Sequence, residues 1–349
     1  MRGDIRGRWA GIRRRLALMS AKTRGQRIQL SIIIVNWNTR IFLGQCLRSI
    51  MDTIGDISHE IIVVDNCSPD GSAEMVAQEF PQVRLIANDE NLGFARGNNQ
   101  GIKESKGQYI LLLNPDIVVH PQAIEKLLQF LEQRPEAGAV GARLLNPDGS
   151  TQRVGFFRRF PSVVQVILFD TALRRLAIRI KGLRERYWEY VDETRAHQVD
   201  QIPGACLMTR REVIERIGLL DEDFTFWYED VDWCYRMRNR GWELYFLPQA
   251  TMTHFGGQSF AHWSESQQQV QLHKSMLKFF IKHRGFAIAR LVKWIVIIDR
   301  VLLTALDFLI GPAIDLLTGK DVKMRLERRK ALIEWLMKCR LEELTSSTN

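Results

Sequence analysis

The sequence predicts an α/β fold: a doubly wound, mostly parallel sheet, followed by a C-terminal helical extension. From residue 30 onward, short apolar runs typical of strands alternate with helical patterns. These runs are apolar throughout rather than at every second position, as expected when helices cover both faces of a sheet. Of the 349 residues, 46% are apolar and 26% charged, which excludes a disordered chain or a small disulfide-stabilised domain.

The predicted elements follow one another in strand-helix order. We expect strands near residues 30–36, 60–65, 83–87, 108–113, 204–208 and 242–247. Helices are expected near residues 40–52, 71–79, 94–105, 121–133, 209–217 and 230–240. Between the two groups, residues 152–199 have no strand rhythm and many basic side chains, so we predict a helical or mobile insertion there.

Beyond residue 262 the chain is predicted to be helical almost to its end. In residues 286–318, charged and apolar side chains fall on opposite halves of a helical projection, which indicates an amphipathic helix interrupted at Pro312. Charges break up its apolar runs, so it is not expected to span a membrane. It could lie in a bilayer interface, pack on the sheet domain or form a homodimer seam, and a basic cluster at 320–330 favours membrane contact.

The net charge of +9 is concentrated at the N-terminus, where residues 1–27 contain nine Lys and Arg and one acid. Nucleic-acid binding, which needs basic residues spread over a folded face, is therefore not predicted. This arm could lie on an anionic membrane surface, or it could be a leader without structure. Five scattered cysteines without C-x-x-C spacing and the lack of a convincing signal peptide favour the cytoplasm.

Polar residues follow the first four predicted strands, where ligands bind in an open α/β sheet. They are Asn36 and Asn38, Asp65 and Asn66, Asn88, and Asn114 with Asp116. Amides and carboxylates suit a nucleobase and ribose, although any one of these residues could serve a turn. No Walker or G-x-G-x-x-G loop is present, so phosphate must be neutralised by other means. Asp116 could ligate a divalent cation, with His254 as a candidate second ligand.

The densest group of chemical side chains is FWYEDVDW, residues 226–233. It places Glu229, Asp230 and Asp232 beside Trp227 and Tyr228 at a predicted helix start. Helix capping explains one acid there but not three. Aromatic rings stack on sugars, and a carboxylate can remove a proton from an acceptor hydroxyl, so we interpret the group as functional.

In combination, these segments resemble family 2 glycosyltransferases of the GT-A fold, in the branch that contains rhamnosyltransferases and galactofuranosyltransferases. The resemblance covers about residues 30–260. Its carriers are SIIIVNWN, EIIVVDNCSPDGS, NDENLGFARGNNQGI, YILLLNPD and the PGACLM to RNRGW segment. It implies a glycosyltransferase domain at 28–260, which composition and helical periodicity flank with a basic arm at 1–27 and a helical, membrane-associating region at 261–349. The domain would have a nucleotide-sugar half at about 28–120 and an acceptor half at about 121–260.

The resemblance also implies roles for individual residues. The nucleotide sugar would meet Val35, Asn36, Asn38, Asp65, Asn66, Asn91, Gly93, Arg96, Asn114 and Asp116. Asp230 would be the catalytic base, and Trp227, Tyr228, Glu229 and Asp232 would bind the acceptor. Asp116 and His254 would hold Mg²⁺ or Mn²⁺. The chain departs from the family at Asn114, where many members have aspartate, so the metal has one acid fewer.

The reaction implied is a single inverting displacement at the sugar. The preferred donor is dTDP-rhamnose and the preferred acceptor a glycan or polyprenyl-diphosphate-linked glycan at the inner face of the cell membrane, with the protein bound peripherally. Another nucleotide sugar, UDP-galactofuranose or UDP-GlcNAc, is the alternative within the enzyme class. An inactive homologue acting as a membrane-bound assembly partner is the alternative outside it.

Overall fold

A computed structural model of the protein describes residues 28–152, 159–187, 192–257, 263–318 and 322–345. The predicted basic arm at 1–27 lies outside the described residues. The strands are β1 (Leu30–Asn36), β2 (His59–Asp65), β3 (Arg84–Ala87), β4 (Tyr109–Leu113), β5 (Ile117–Val119), β6 (Ala137–Leu145), β7 (His197–Gln198), β8 (Cys206–Arg210) and β9 (Glu243–His254). They form one sheet in the order β3-β2-β1-β4-β8-β6-β9-β5, with β7 beside β9.

Helices cover the sheet and form the C-terminal region. They are α1 (Arg40–Thr53), α2 (Ser72–Glu79), α3 (Gly93–Glu104), α4 (Ala123–Gln133), α5 (Val163–Phe169), α6 (Arg174–Ala177), α7 (Lys181–Tyr187), α8 (Arg211–Ile217), α9 (Glu229–Asn239), α10 (Glu265–Thr318) and α11 (Val322–Lys338). The α/β class is confirmed, and most strands and helices begin and end within two residues of the prediction. The insertion contains α5, α6 and α7, as its helical interpretation requires.

Strand direction divides the sheet into two parts. Strands β3, β2, β1 and β4 are all parallel, as continuous apolar runs predict. The next strand, β8, is antiparallel to both β4 and β6, and β9 returns parallel to β6. The carboxyl end of β4 therefore meets the beginning of β8, where Leu113 pairs with Cys206. This junction brings residues after β4 next to the segment that precedes β8.

The sequence analysis missed β6 because its residues, AGAVGARLL, are unusually small. The structure explains why they are small. A Cβ at Gly141 would lie 2.5 Å from Ile202 Cγ2, and one at Gly138 would lie 2.7 Å from the Trp242 Cβ. Large neighbours thus fill the space over β6, and the strand carries a weak hydrophobic signal although its first six residues are buried.

The C-terminal helix is broken at Gly285 and not at Pro312, where the sequence analysis placed the interruption. Gly285 has φ +82° and ψ 166°, a conformation that side chains other than glycine rarely adopt. The helix then continues through Pro312 to Thr318. The two segments fold back on each other, since Met276 and Phe280 share a buried core with Val292 and Val296.

In the segment after Gly285, the side toward the protein contains the buried Asp307 besides apolar residues, and another apolar side faces solvent. Asp307 is buried and pairs with Arg329 of α11 at 2.6 Å. We call the exposed apolar side the outer apolar face; it consists of Leu291, Trp294, Ile298, Val301, Leu302, Leu306, Phe308 and Leu309. In the part of the chain that the structure describes, no helix is both long and apolar enough to cross a bilayer.

Candidate active site

The carboxyl ends of β1 and β2 meet, and their polar side chains hold one another. Asn36 lies opposite Asp65 in the strand register, and Asn36 Nδ2 donates to Asp65 Oδ1 over 2.7 Å. Asp65 Oδ2 accepts from the backbone N–H of Ser68 at 2.9 Å, and the Ser68 hydroxyl accepts from the backbone N–H of Asn38 at 2.9 Å. This buried network fixes the loops after both strands, between which the nucleotide is predicted to bind.

A second network orders the start of α3. Asn66 Nδ2 donates to the Gly93 carbonyl at 3.1 Å, and Asn91 Oδ1 accepts from the Gly93 N–H at 2.9 Å. Gly93 has φ +81°, and a Cβ there would lie 3.3 Å from the Thr225 carbonyl oxygen. Glycine is therefore needed for α3 to begin this close to the segment that leads into α9. The predicted Asn66, Asn91 and Gly93 come together here.

Two other predicted donor residues lie on either side of α3. Val35 is buried beneath the helix, where a Cβ at Gly97 would come within 2.8 Å of Val35 Cγ1. Arg96 is exposed, and its Nε lies 3.3 Å from Glu222 Oε2. The other oxygen of Glu222 accepts from Asn99 Nδ2 at 2.9 Å. The sequence analysis did not single out Glu222 or Asn99, which connect α3 to the segment before α9.

The predicted metal ligands lie next to each other beyond β4. His254, at the end of β9, places Nε2 at 3.3 Å from Asp116 Oδ1 and 3.5 Å from Asn114 Nδ2. Both Asp116 and His254 are buried. His254 Nδ1 lies 2.7 Å from Gln152 Oε1, an acceptor, so Nδ1–H donates to Gln152 and Nε2 is the ring nitrogen that faces Asp116. Gln152 was not predicted, because one amide after a turn gives no sequence signal.

This donor set fits a divalent cation. A carboxylate oxygen and an imidazole lone pair that face each other repel unless a cation or proton lies between them. Neighbouring ligands of octahedral Mg²⁺ are about 3 Å apart, given bond lengths of about 2.0–2.1 Å. Among the described residues no group of three His, Cys, Asp or Glu side chains could hold a metal. Asp116 and His254 would therefore supply two ligands, and a bound ligand or water the others.

The candidate base, Asp230, lies at the start of α9. The short segment of residues 204–205 connects it by hydrogen bonds with Asn114, beside the candidate metal ligands. Asp230 Oδ2 accepts from the Gly204 N–H at 2.8 Å, and the next carbonyl, that of Ala205, accepts from the Asn114 N–H at 2.9 Å. Asp230 also lines a cleft of about 310 Å³, here called the Asp230 cleft, together with Trp227 and Tyr228. Asp116 and His254 are not among the described residues that line this cleft. They lie beyond the segment that starts β8.

The adjacent carboxyls Glu229 and Asp230 differ in their surroundings. Burial and the charge of Asp230 hold the pKa of Glu229 well above its usual value. Glu229 Oε2 has no hydrogen-bond partner among the described residues. Burial also raises the pKa of Asp230, but hydrogen bonds from the N–H groups of Gly204 and Val231 oppose that rise. Glu229 is thus the acid of this pair that keeps its proton, and Asp230 is the one that ionises first.

Asp232, predicted to bind the acceptor, lies elsewhere. Its side chain is fully buried, and its oxygens lie 2.8 Å from Arg236 Nε, 2.7 Å from Lys282 Nζ and 2.7 Å from His283 Nε2. Burial alone would raise the pKa of Asp232, but the His283 hydrogen bond and the charges of Arg236 and Lys282 lower it to about 2. Asp232 therefore joins α9 to α10 from a buried position, and its predicted contact with the acceptor stays a prediction.

Changing Asp232 to Asn should destabilise the protein by about 3 kcal/mol, because Arg236 and Lys282 lose their buried counter-charge. Because the pKa of Asp232 is lowered in the folded protein, its contribution to the free energy of unfolding is present above about pH 4 and is lost as the pH falls toward 2. Urea unfolding at pH 7 and pH 3 measures both effects. Glu212→Gln is the matched control, since its i,i+4 pair with Arg216 is exposed and should cost less than about 1 kcal/mol. Equal losses in the two variants would contradict the assignment.

The family model for glycosyl transferase family 2 matches residues 31–218, more than half of the chain. The chain belongs to this family. The resemblance inferred from the motifs is thereby confirmed, and the protein is a family 2 glycosyltransferase. The matched range contains the predicted donor residues and Asp116, whereas Asp230 and His254 lie beyond it. The division into halves and the individual roles of the site residues remain predictions.

Relatives of this glycosyltransferase include a rhamnosyltransferase and a hexosyltransferase of glycan biosynthesis. It is 27% identical to the N-acetylglucosaminyl-diphospho-decaprenol L-rhamnosyltransferase of Mycobacterium tuberculosis, over 65% of this chain and 76% of that protein. It is 27% identical to the low-salt glycan biosynthesis hexosyltransferase Agl10 of Haloferax volcanii, over 60% of this chain and 61% of that protein.

Solved structures confirm the fold of this family 2 glycosyltransferase. The mannosyltransferase PcManGT from Pyrobaculum calidifontis, solved with GDP-Man and Mn²⁺, superposes with a TM-score of 0.55 at 15% identity, over 90% of this chain and 87% of that one. GalNAc-T7, solved with UDP, GalNAc and Mn²⁺, gives 0.53 at 16% identity, over 93% of this chain and 58% of that one. The GT-A prediction is confirmed by these neighbours.

Proposed function

We propose that this glycosyltransferase moves L-rhamnose from dTDP-rhamnose, with inversion, onto a hydroxyl of a lipid-linked glycan. One observation carries the proposal. Asp230 lines a cleft beside two aromatic residues and is hydrogen-bonded to the same short segment that holds Asn114, two residues from Asp116. A base and a phosphate-side carboxylate on opposite sides of one strand junction are what a direct displacement at a sugar carbon requires.

The donor and acceptor are proposed from the relatives. The Mycobacterium tuberculosis protein is an L-rhamnosyltransferase whose named substrate is a sugar linked through diphosphate to a polyprenol. Its alignment covers 76% of its own length, so the likeness extends over most of that protein. We therefore assign this chain a rhamnosyl donor and a polyprenyl-diphosphate-linked acceptor in cell-surface glycan synthesis.

The chain's own residues perform the steps as follows. The loops fixed by Asn36 and Asp65 hold the nucleoside, and the acceptor sugar enters the Asp230 cleft against Trp227 and Tyr228. Asp230 takes the proton of the acceptor hydroxyl as its oxygen attacks the anomeric carbon. The bond to the nucleoside diphosphate breaks on the opposite face, and inversion follows.

Asp116 and His254 are proposed to hold Mg²⁺ or Mn²⁺, because they place two lone-pair atoms 3.3 Å apart in a buried position. When bound, the cation supplies positive charge for the departing diphosphate. Both solved GT-A neighbours contain Mn²⁺. Gln152 orients His254, and Asn114 adds an amide in place of a second acid.

We further propose that the protein binds the inner membrane surface peripherally from the cytoplasm. The outer apolar face supports this, since Leu302, Phe308 and Leu309 are 64%, 71% and 80% exposed. Basic side chains of α6 lie near this face, because Arg174 and Arg175 line one cleft with Leu303, the sequence neighbour of Leu302.

A screen of nucleotide sugars for thermal stabilisation in the presence of Mn²⁺ tests the donor. We expect dTDP-rhamnose to raise the melting temperature most, since a ligand at a hundred times its Kd stabilises the folded state by about 2.7 kcal/mol. A larger rise in melting temperature with UDP-galactofuranose or UDP-GlcNAc would identify that nucleotide sugar as the donor instead. An inactive assembly partner would neither be stabilised by nor hydrolyse any nucleotide sugar, and that result would refute the proposal.

A further inference from the structure

A second cleft, of about 490 Å³, lies between α6, α10 and α11, and arginine dominates its lining. We call it the arginine cleft; its arginines are Arg174, Arg175, Arg300, Arg325, Arg328 and Arg329. No acidic side chain is among the described residues that line it. The remaining lining residues are Gln269 and two leucines. So many guanidinium groups around one concavity favour an anionic ligand there.

Three carboxylates outside the lining pair with these arginines. Asp299 pairs with Arg300, Glu265 with Arg328, and Asp307 with both Arg325 and Arg329. One carboxylate, that of Asp307, is thus shared by two guanidinium groups. Each guanidinium group has five N–H donors, so an arginine that holds a carboxylate can also donate to a phosphate oxygen in the cleft.

The arginine cleft adjoins the Asp230 cleft. Gln269 lines both clefts. Arg300, on the wall of the arginine cleft, donates from Nη2 to the backbone carbonyl of Asp170 at 2.8 Å, and Asp170 lines the Asp230 cleft. A ligand whose sugar reaches Asp230 can therefore extend across Gln269 to the arginines.

An apolar surface lies close to the arginine cleft. Leu303 lines the cleft, and its neighbour Leu302 belongs to the outer apolar face. One to two turns further along the same helix, Leu306 and Leu309 are 46% and 80% exposed. The arginine cleft therefore has the Asp230 cleft and an exposed apolar surface as neighbours.

We propose that the arginine cleft binds the diphosphate of a prenyl-diphosphate-linked acceptor, with its prenyl chain leaving over the outer apolar face. The inference rests on the proposed function for the identity of the acceptor. Guanidinium groups bind phosphate oxygens through two parallel hydrogen bonds, which suits a diphosphate better than a single carboxylate. The diphosphate of the donor would bind elsewhere, because its candidate metal ligands, Asp116 and His254, lie beyond β4 and not among the C-terminal helices.

The test compares two acceptors in the full chain. One is N-acetylglucosamine linked to a short prenyl diphosphate, and the other is an octyl glycoside of the same sugar without phosphate. The double variant Arg175→Gln with Arg328→Gln should raise KM for the first by about 100-fold, about tenfold for each arginine. Its kcat, the KM of the donor and the KM of the octyl glycoside should stay within about twofold.

The double variant Arg179→Gln with Arg290→Gln is the matched control. Arg179 follows α6 and Arg290 belongs to α10; both are exposed, and neither lines the cleft. It should change no KM. A double variant with equal KM changes for both acceptors, or with none, would overturn the proposal. Loss of binding to phosphatidylglycerol vesicles, without a change in the ratio of the two KM values, would assign the cleft to phospholipid headgroups and also overturn it.

Calorimetry with geranyl diphosphate, without any donor, separates this inference from the proposed function. Binding that the double variant loses supports the arginine cleft even if the wild-type protein transfers no sugar. Transfer by the wild-type protein without any binding of geranyl diphosphate would overturn the cleft and leave the proposed function intact.

Discussion

Changing Asp230 to Asn should reduce kcat by about 10³-fold, because the variant lacks the group that removes the acceptor proton. The amide has nearly the same shape and retains one oxygen for the hydrogen bond from Gly204 or Val231, so the fold should survive. Donor affinity should change little, since Asp230 lines the cleft on the acceptor side. Steady-state kinetics and calorimetric titration of the donor measure the two quantities separately.

Glu229→Gln is the control for this experiment. Glu229 keeps its proton because burial and Asp230 raise its pKa, and glutamine mimics the neutral acid. Activity should therefore stay within about threefold of wild type. The rates of the wild-type protein and of Glu229→Gln should fall as the pH drops through the pKa of Asp230. Burial raises this pKa above its ordinary value of 3.8. A loss of donor affinity in Asp230→Asn, or a larger loss of kcat in Glu229→Gln, would transfer the role of base away from Asp230.

The pair Asp230 and Asp232 shows how far a sequence reveals a site. Both acids stand in one motif at a helix start, and the sequence analysis gave both to the substrate. On a helix, residues two positions apart point about 200° away from each other, so one acid enters the cleft and the other turns into the protein. Two partners of Asp232, Lys282 and His283, are about fifty residues away in sequence, and no local pattern connects them with it.

The C-terminal helix shows the same limit in its packing. Segregation of charged and apolar side chains was predicted correctly, but a helical projection does not say which side meets the protein. Asp307 turns inward because α11 brings Arg325 and Arg329 to it. The strands differ in the same way. Strand β1 was predictable because burial on both faces makes most of its residues apolar, whereas β6 was not predicted because its neighbours leave room only for glycine at Gly138 and Gly141.

Removing the divalent cation should have an effect as large as losing Asp230. Excess chelator should stop turnover of the wild-type protein, and Asp116→Ala should lower kcat by at least about 10²-fold even at saturating Mn²⁺, because the carboxylate on the diphosphate side is gone. Metal titration of the rate gives both the apparent metal affinity and the maximal rate. Full activity in excess chelator would refute the metal assignment.

Gln152→Ala distinguishes a ligand from a residue that positions one. The variant removes Gln152 Oε1, which accepts a hydrogen bond from His254 Nδ1 at 2.7 Å. The His254 ring therefore loses the contact that sets its tautomer and orientation. The Mn²⁺ concentration for half-maximal rate should rise by about 10- to 100-fold, while the rate at saturating Mn²⁺ returns close to wild type. Gln249→Ala, an exposed amide on β9 with His254, should change neither quantity. A fall in the saturated rate that matches Asp116→Ala would show that Gln152 acts on the reaction itself and not through His254.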